Sequence, residues 1–148
     1  MAVSRLQYLT TNDWVLIQAK TEHRTFTLGE EIIRQGDWGD SVYIIRRGEA
    51  SVELAGTGSR VIVASLGPDD VCGEIAFIEH SRASAAVVAK EEKVEVDAIT
   101  AHELRQILEA YPGLASRFYQ SLALVMAKRL KATSRELARE MGLRDRNE

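Results

Sequence analysis

A series of short β-branched runs between about residues 24 and 97 constrains the fold of this chain more than any other feature. Gly, Pro and Asp separate the runs, and these residues favour tight turns because they accept or preset the backbone angles that turns need. Strands at this spacing predict an all-β sandwich or barrel, with a jelly roll as the favoured architecture. The predicted strands cover residues 26–28, 31–35, 41–46, 50–54, 60–66, 85–89 and 94–98.

A short helix is predicted before the first strand, over about residues 11–22. Thr11, Asn12 and Asp13 are typical N-terminal capping residues, and the apolar side chains of Trp14 and Ile17 follow them. The strands are therefore expected to follow an N-terminal helical segment.

Two helices are predicted after the last strand. Thr100 is followed three residues later by Glu103, a pattern typical of a capping box at a helix start. Tyr111, Pro112 and Gly113 then interrupt the helical pattern, because proline cannot continue a helix that precedes it. This break is interpreted as a hinge before the last helix.

The last helix carries a narrow apolar seam. Met126, Leu130, Thr133 and Leu137 recur at intervals of four, three and four residues, as in the contact face of a coiled coil. Such a seam needs a second helix, and a homodimer would supply one. Glutamates interleave with the basic residues of this helix, which predicts a solvated face rather than a nucleic-acid surface. The basic residues are Lys128, Arg129, Lys131, Arg135 and Arg139.

Length and composition indicate one globular domain. The chain has 148 residues, of which 45% are hydrophobic and 28% charged, with two prolines. The expected fold class is mainly β with flanking helices (α+β): a β jelly-roll sandwich with an N-terminal helix and C-terminal helices that include a long dimerisation helix. The expected segments are residues 1–23 (helical), 24–98 (jelly roll) and 99–148 (hinge and dimerisation helices).

Several classes of protein are disfavoured by composition. The net charge of −3 argues against a polybasic nucleic-acid binder, and Cys72 is the single cysteine, so no intramolecular disulfide or paired-cysteine metal site forms. The three histidines lack ligand spacing, and no local catalytic set is evident. No signal peptide or membrane span is predicted. We therefore expect a cytoplasmic protein that is not an enzyme and has no cofactor, metal or membrane partner.

The segment from Gly67 to Val87 is the candidate binding site. Residues 73–76 are interpreted as the first turn of a very short helix, where free amides, a glycine that permits close approach and a nearby arginine suit one phosphate. The Glu74 carboxylate would repel a phosphate, so it should face neutral hydroxyls instead. A sugar phosphate satisfies both demands.

The segments 73–76 and 82–85 together resemble the phosphate-binding cassette of the cyclic nucleotide-binding domain family, which includes the sensor domain of catabolite activator proteins. The resemblance extends to residues 26–37, which are similar to the opening strands of that fold, and to the glycine-turn hairpin at residues 42–48. It covers about residues 14–137. The resemblance implies eight ligand-binding residues, which are Gly73, Glu74, Ile75, Ala76, Arg82, Ser84, Thr133 and Ser134.

The resemblance also implies a role for each of these residues. Glu74 would accept a hydrogen bond from the ribose 2′-hydroxyl. The amides of residues 75 and 76 would hold the cyclic phosphate, together with the side chains of Arg82 and Ser84. Thr133 and Ser134 would contact the base, as a Thr-Ser pair does in the dimerisation helix of the family.

The cassette departs from the family pattern at its arginine. Aligned without a gap through residues 85–89, Arg82 stands where the family has proline, and Ala83 stands where it has the phosphate arginine. If the loop is one residue shorter, Arg82 still reaches the phosphate. If the following strand sets the register, Arg82 points elsewhere and the site lacks its main counter-charge.

The resemblance implies a stand-alone regulatory domain that would sense cAMP or cGMP and relay binding through its C-terminal helix to an effector protein. The alternative is a degenerate member that binds no cyclic nucleotide and serves as a dimerisation or protein-docking module. A sensor of another anionic metabolite is a third possibility. We expect no DNA-binding domain, since the sensor module accounts for nearly all 148 residues.

Overall fold

Two antiparallel sheets, each of four strands, form the centre of the protein, and helices flank them. The computed structural model describes residues 5–142. The helices are α1 (Thr11–Gln18), α2 (Glu74–Glu79), α3 (Ala101–Ala110) and α4 (Pro112–Glu140). The strands are β1 (Glu22–Phe26), β2 (Glu31–Ile33), β3 (Ser41–Arg47), β4 (Ala50–Ala55), β5 (Arg60–Leu66), β6 (Val71–Cys72), β7 (Ala86–Ala89) and β8 (Val94–Thr100).

The strand order is that of a jelly roll. One sheet runs β1-β8-β3-β6 and the other β2-β7-β4-β5, so consecutive strands lie in different sheets, except β4 and β5, which pair with each other. Ile45, Val94 and Val96 are fully buried between the sheets. Removing such β-branched side chains from water is the main driving force for the sandwich. The predicted fold class is confirmed.

Some strand limits differ from the predictions. β1 begins at Glu22, because it pairs with β8 from Glu22 opposite Ala98 to Phe26 opposite Val94. β6 was not predicted, since a two-residue strand has no detectable periodicity; it pairs Cys72 with Tyr43. The predicted segment limits at residues 23/24 and 98/99 stay a prediction, and residues 1–4 and 143–148 of those segments lie outside the described part of the chain.

The N-terminal helix is shorter than predicted and has a different cap. The cap is Thr10 rather than Thr11: its hydroxyl accepts from the Asp13 amide at 3.1 Å, and the Asp13 carboxylate accepts from the Thr10 amide at 2.9 Å. This reciprocal capping box starts α1, which ends at Gln18 because β1 begins four residues later.

The predicted break between the two C-terminal helices is present. The Thr100 hydroxyl accepts from the Glu103 amide at 3.1 Å and starts α3, while Pro112 starts the 29-residue α4. The first half of α4 buries Leu114, Phe118 and Val125, whereas apolar side chains of its second half are exposed. Among residues 5–142, no helix is long and apolar enough to cross a bilayer.

Candidate functional site

A cavity of about 520 Å³ opens beside α2 and is lined by residues of β2, β3 and β7. Its wall includes the whole first turn of α2 and the segment 83–85 that leads into β7. Two arginines and three carboxylates line it as well, namely Arg34, Arg129, Asp37, Asp40 and Glu74. The cavity lining therefore combines apolar side chains with a few charged groups, as small-molecule sites commonly do.

Two glycines hold α2 against the neighbouring backbone. Gly73 caps α2 with φ +85°, and a Cβ there would lie 2.7 Å from the carbonyl oxygen of Ser41. A Cβ on Gly39 would lie 2.3 Å from the Cβ of Ala76. Both positions require glycine, because a side chain at either would push α2 away from the sheet and displace Glu74.

Glu74, the first residue of α2, is only 2% exposed. The guanidinium of Arg129, on α4, donates one hydrogen bond to the Glu74 carboxylate and another to the carbonyl oxygen of Val71. Burial raises the pKa of the Glu74 carboxyl above its usual range, while the positive charge of Arg129 acts in the opposite direction. The site carboxylate is thus directly connected to the C-terminal helix.

Cys72 lies in the cavity wall next to Gly73 and is 3% exposed. Burial raises the pKa of its thiol far above the usual range, so the thiolate form is strongly disfavoured. Cys72 is thus a small buried side chain of the cavity wall.

Arg82 does not line the cavity. Its Nη1 donates to the carbonyl oxygen of Gly36 at 3.0 Å, and its guanidinium carbon lies 4.7 Å from the centre of the Trp38 ring. The backbone explains this direction, because Ala83 exchanges hydrogen bonds with Gly36 and Asp37 at 2.9 and 2.7 Å. The register therefore places Ala83, rather than Arg82, at the cavity wall, as the second of the two interpretations of the loop expects.

The other predicted site residues fall into two groups. The first group lines the cavity and comprises Gly73, Glu74, Ile75, Ala76 and Ser84. The second group, Thr133 and Ser134, is exposed on the second half of α4 and does not line the cavity of its own chain. Their predicted base contact requires a second protomer and stays a prediction.

Sequence reasoning missed both arginines of the cavity lining. Arg129 was assigned to a solvated helix face, and this is wrong, because it contacts a carboxylate 55 residues away in sequence. The rest of that face agrees with expectation: Arg139 and Glu136 form an exposed ion pair at 3.6 Å. Arg34, which directly follows β2, had no distinguishing pattern.

Comparison with known proteins identifies the family of the domain. The family model of the cyclic nucleotide-binding domain matches residues 23–111, from β1 to the end of α3. The chain belongs to the cyclic nucleotide-binding domain family. Within this family, the cavity beside α2 corresponds to the segment where the cassette resemblance was found.

Named relatives share this domain over most of the chain. Cyclic GMP-binding protein C of Dictyostelium discoideum is 31% identical over 130 residues, which are 82% of this chain and 5% of that protein. Cyclic AMP receptor protein of Thermus thermophilus is 27% identical over 117 residues, 78% of this chain and 52% of that protein. The chain thus spans about half of the length of the second relative and a much smaller part of the first.

A solved structure shows the same fold. The c-di-GMP-responsive global regulator CLP of Xanthomonas campestris superimposes with a TM-score of 0.79 at 19% identity, covering 88% of this chain and 64% of that one. At this identity the similarity concerns the arrangement of sheets and helices.

Proposed function

We propose that this cyclic nucleotide-binding domain is a regulatory module that senses cAMP or cGMP. The observation that carries the proposal is Glu74, a buried carboxylate at the cavity wall, in the position where the family contacts the ribose. In the proposed complex the ribose 2′-hydroxyl donates to Glu74. The amides of Ile75 and Ala76 and the hydroxyl of Ser84 face the cyclic phosphate. These groups bind and orient a ligand, so no enzyme activity is proposed.

The contact between Glu74 and Arg129 supports a relay to α4. A ribose hydroxyl that donates to Glu74 would share the carboxylate charge with Arg129, which donates to Oε1 of the same group. Ligand binding would therefore weaken one of the contacts that hold the second half of α4 against the jelly roll. The break at Pro112 provides a point about which α4 can reorient. The ligand-free and ligand-bound states would then differ in the position of α4, and ligand binding would shift the population from one to the other.

Calorimetric titration tests the proposal directly. Wild-type protein should bind cAMP, cGMP or both, and Glu74→Gln should weaken binding roughly tenfold to a hundredfold, because a charge-assisted hydrogen bond is replaced by a neutral one. Glu79→Gln is the matched control, since Glu79 is an exposed carboxylate at the other end of α2. Hydrogen exchange of the α4 amides beyond residue 124 should change on ligand addition in the wild type and the control.

Two results would contradict this function. Absence of binding heat with both nucleotides at high micromolar concentration would remove the sensor proposal. Equal affinities of wild type and Glu74→Gln would remove the assigned role of the carboxylate. Ligand binding without any change in the hydrogen exchange of α4 would support sensing and remove the relay.

A second candidate function is a domain that binds no cyclic nucleotide and serves in dimerisation or docking. The observation that favours it is the direction of Arg82, whose guanidinium contacts Trp38 and Gly36 outside the cavity. The arginine that the family resemblance implies for the phosphate is then missing from the cassette. The titration above separates the two candidates.

We also propose that α4 mediates a homodimer. Leu130, Leu137 and Met141 are 68%, 56% and 65% exposed and lie along one stripe of the helix, continuing from Met126. Burying them against a second α4 would bring Thr133 and Ser134 near the partner's cavity. Sedimentation should give a dimer mass for the wild type and for the control Val15→Glu, which alters an exposed apolar residue of α1, and a monomer mass for Leu130→Glu. A dimer that persists in Leu130→Glu would exclude this interface.

A further inference from the structure

The cavity needs a cation for a phosphate ligand, and two arginines line it among residues 5–142: Arg34 and Arg129. An anion taken from water into a cavity is stabilised only if charges or donors replace its hydration. Arg129 is bonded to Glu74 and Val71 at the carboxylate end of the site. Asp37 and Asp40 at the rim add negative charge. The remaining cationic side chain of the lining is Arg34.

The backbone places Arg34 across from residues 83–85, the segment that faces the phosphate in the proposed complex. Arg34 directly follows β2, which pairs with β7 at Ile33 and Val87. Two residues further on, the Gly36 amide donates to the carbonyl oxygen of Ala83 at 2.9 Å. Arg34 therefore lies on the chain segment adjacent to residues 83–85, at the usual spacing of neighbouring strands of roughly 5 Å. A flexible arginine side chain spans that separation easily.

The side chain of Arg34 is available to a ligand. It is 70% exposed, and its Nε lies 3.7 Å from Oε1 of the half-buried Glu31, which is an ion pair without hydrogen-bond geometry. Such pairs contribute little to stability. Glu31 also accepts from Arg60 through Oε2 at 3.1 Å, so it keeps a cationic partner when Arg34 turns toward the cavity.

Arg82 is held more firmly and faces away. Its hydrogen bond to Gly36 and its position over the Trp38 ring connect it to the loop that packs on α2. Turning it into the cavity would break both contacts, while the backbone bridge between residues 38 and 82 holds the main chain of Arg82 in place. The two arginines thus differ in what each loses by moving.

We propose that Arg34 supplies the positive charge for the phosphate of the bound nucleotide, in place of an arginine from the cassette. This inference rests on the proposed sensor function and names the residue that completes the site. The guanidinium of Arg34 exchanges its contact with Glu31 for the phosphate oxygens. Binding then joins β2 to the segment 83–85 through the ligand.

Titration of four variants with cAMP and cGMP tests the assignment. Arg34→Ala should weaken the affinity of the nucleotide that the wild type binds by roughly tenfold to a hundredfold, and Arg34→Lys should lose less, because a charge remains. Arg60→Ala, which removes the other partner of Glu31, should bind as the wild type does. Arg82→Ala provides the direct comparison and should lose less affinity than Arg34→Ala.

The outcomes separate this inference from the function on which it rests. If the wild type binds and Arg34→Ala binds equally well, or Arg82→Ala loses more, Arg34 is not the phosphate cation, while the sensor function stands. If the wild type binds neither nucleotide, both fall. Thermal unfolding of each variant distinguishes lost folding from lost binding. If Arg34→Ala is unfolded, the affinity of Arg34→Lys, which retains the charge, is compared with that of the wild type instead.

Discussion

Helix α4 makes two similar ion pairs with carboxylates of other helices, and the two carboxylates differ in electrostatic state. Arg117 donates to both oxygens of Asp13 in the first turn of α1, at 2.7 and 2.8 Å. Twelve residues later, Arg129 donates to Glu74 in the first turn of α2. Asp13 and Glu74 are equally buried, at 3% and 2% exposure.

The two carboxylates differ in how far hydrogen bonds and positive charge offset the cost of burying them. Hydrogen bonds from Arg117, and further ones from Thr10, lower the pKa of Asp13 to about 2 despite its burial. Burial outweighs the effect of Arg129 and raises the pKa of Glu74. The first pair therefore stabilises the attachment of α1 to α4. The second contains a carboxylate whose charge is costly to bury, and such a group can gain from a ligand's hydroxyl donors.

The largest expected effect on stability comes from the Asp13 pair. Asp13→Asn should lower the free energy of unfolding at pH 7 by ~2 kcal/mol, because it leaves Arg117 without its charged partner and weakens the capping box of α1. Urea denaturation measures the change. Glu109→Gln, an exposed carboxylate of α3, should stay near the wild-type value. Equal losses in both variants would mean that the ion pair of Asp13 with Arg117 stabilises the fold no more than an exposed carboxylate does.

A smaller effect should appear as the pH is lowered. The folded-state pKa of Asp13, about 2, lies below its ordinary value of 3.8, so the stability that it contributes is present above pH 3.8 and is lost as the pH falls from there toward about 2. The difference in urea midpoint between the wild type and Asp13→Asn should narrow over that interval. A gap that stays constant down to pH 2 would contradict the lowered pKa.

The smallest effect on stability is expected for Glu74→Gln, although the chemical change matches that in Asp13→Asn. The amide removes a charge that is costly to bury, and its oxygen still accepts from Arg129, which keeps its bond to the Val71 carbonyl and is 26% exposed. The free energy of unfolding should therefore change by less than ~1 kcal/mol at pH 7. Urea denaturation without ligand provides the measurement. A loss as large as that of Asp13→Asn would make both pairs structural and remove the contrast between them.

Local sequence patterns predicted what depends on neighbouring residues. Turn residues between β-branched runs indicated the jelly roll, Thr100 marked the start of α3, and Gly73-Glu74 marked the start of α2. Prediction failed where a local pattern was ambiguous or absent. The cap of α1 was predicted within residues 11–13, whereas the reciprocal hydrogen bonds with Asp13 select Thr10. The two-residue β6 forms because β3 is already in place to pair with it.

The sequence by itself determined the fold class, the family resemblance and the position of the site carboxylate, because short-range backbone preferences and the spacing of apolar residues carry that information. Only the tertiary structure decided what each arginine contacts. Arg129 meets Glu74 across 55 residues of chain, Arg34 lies beside residues 83–85 through strand pairing, and Arg82 turns outward onto Trp38. The physical reason is that a long side chain contacts the partner that folding brings within reach, and no local pattern encodes that partner.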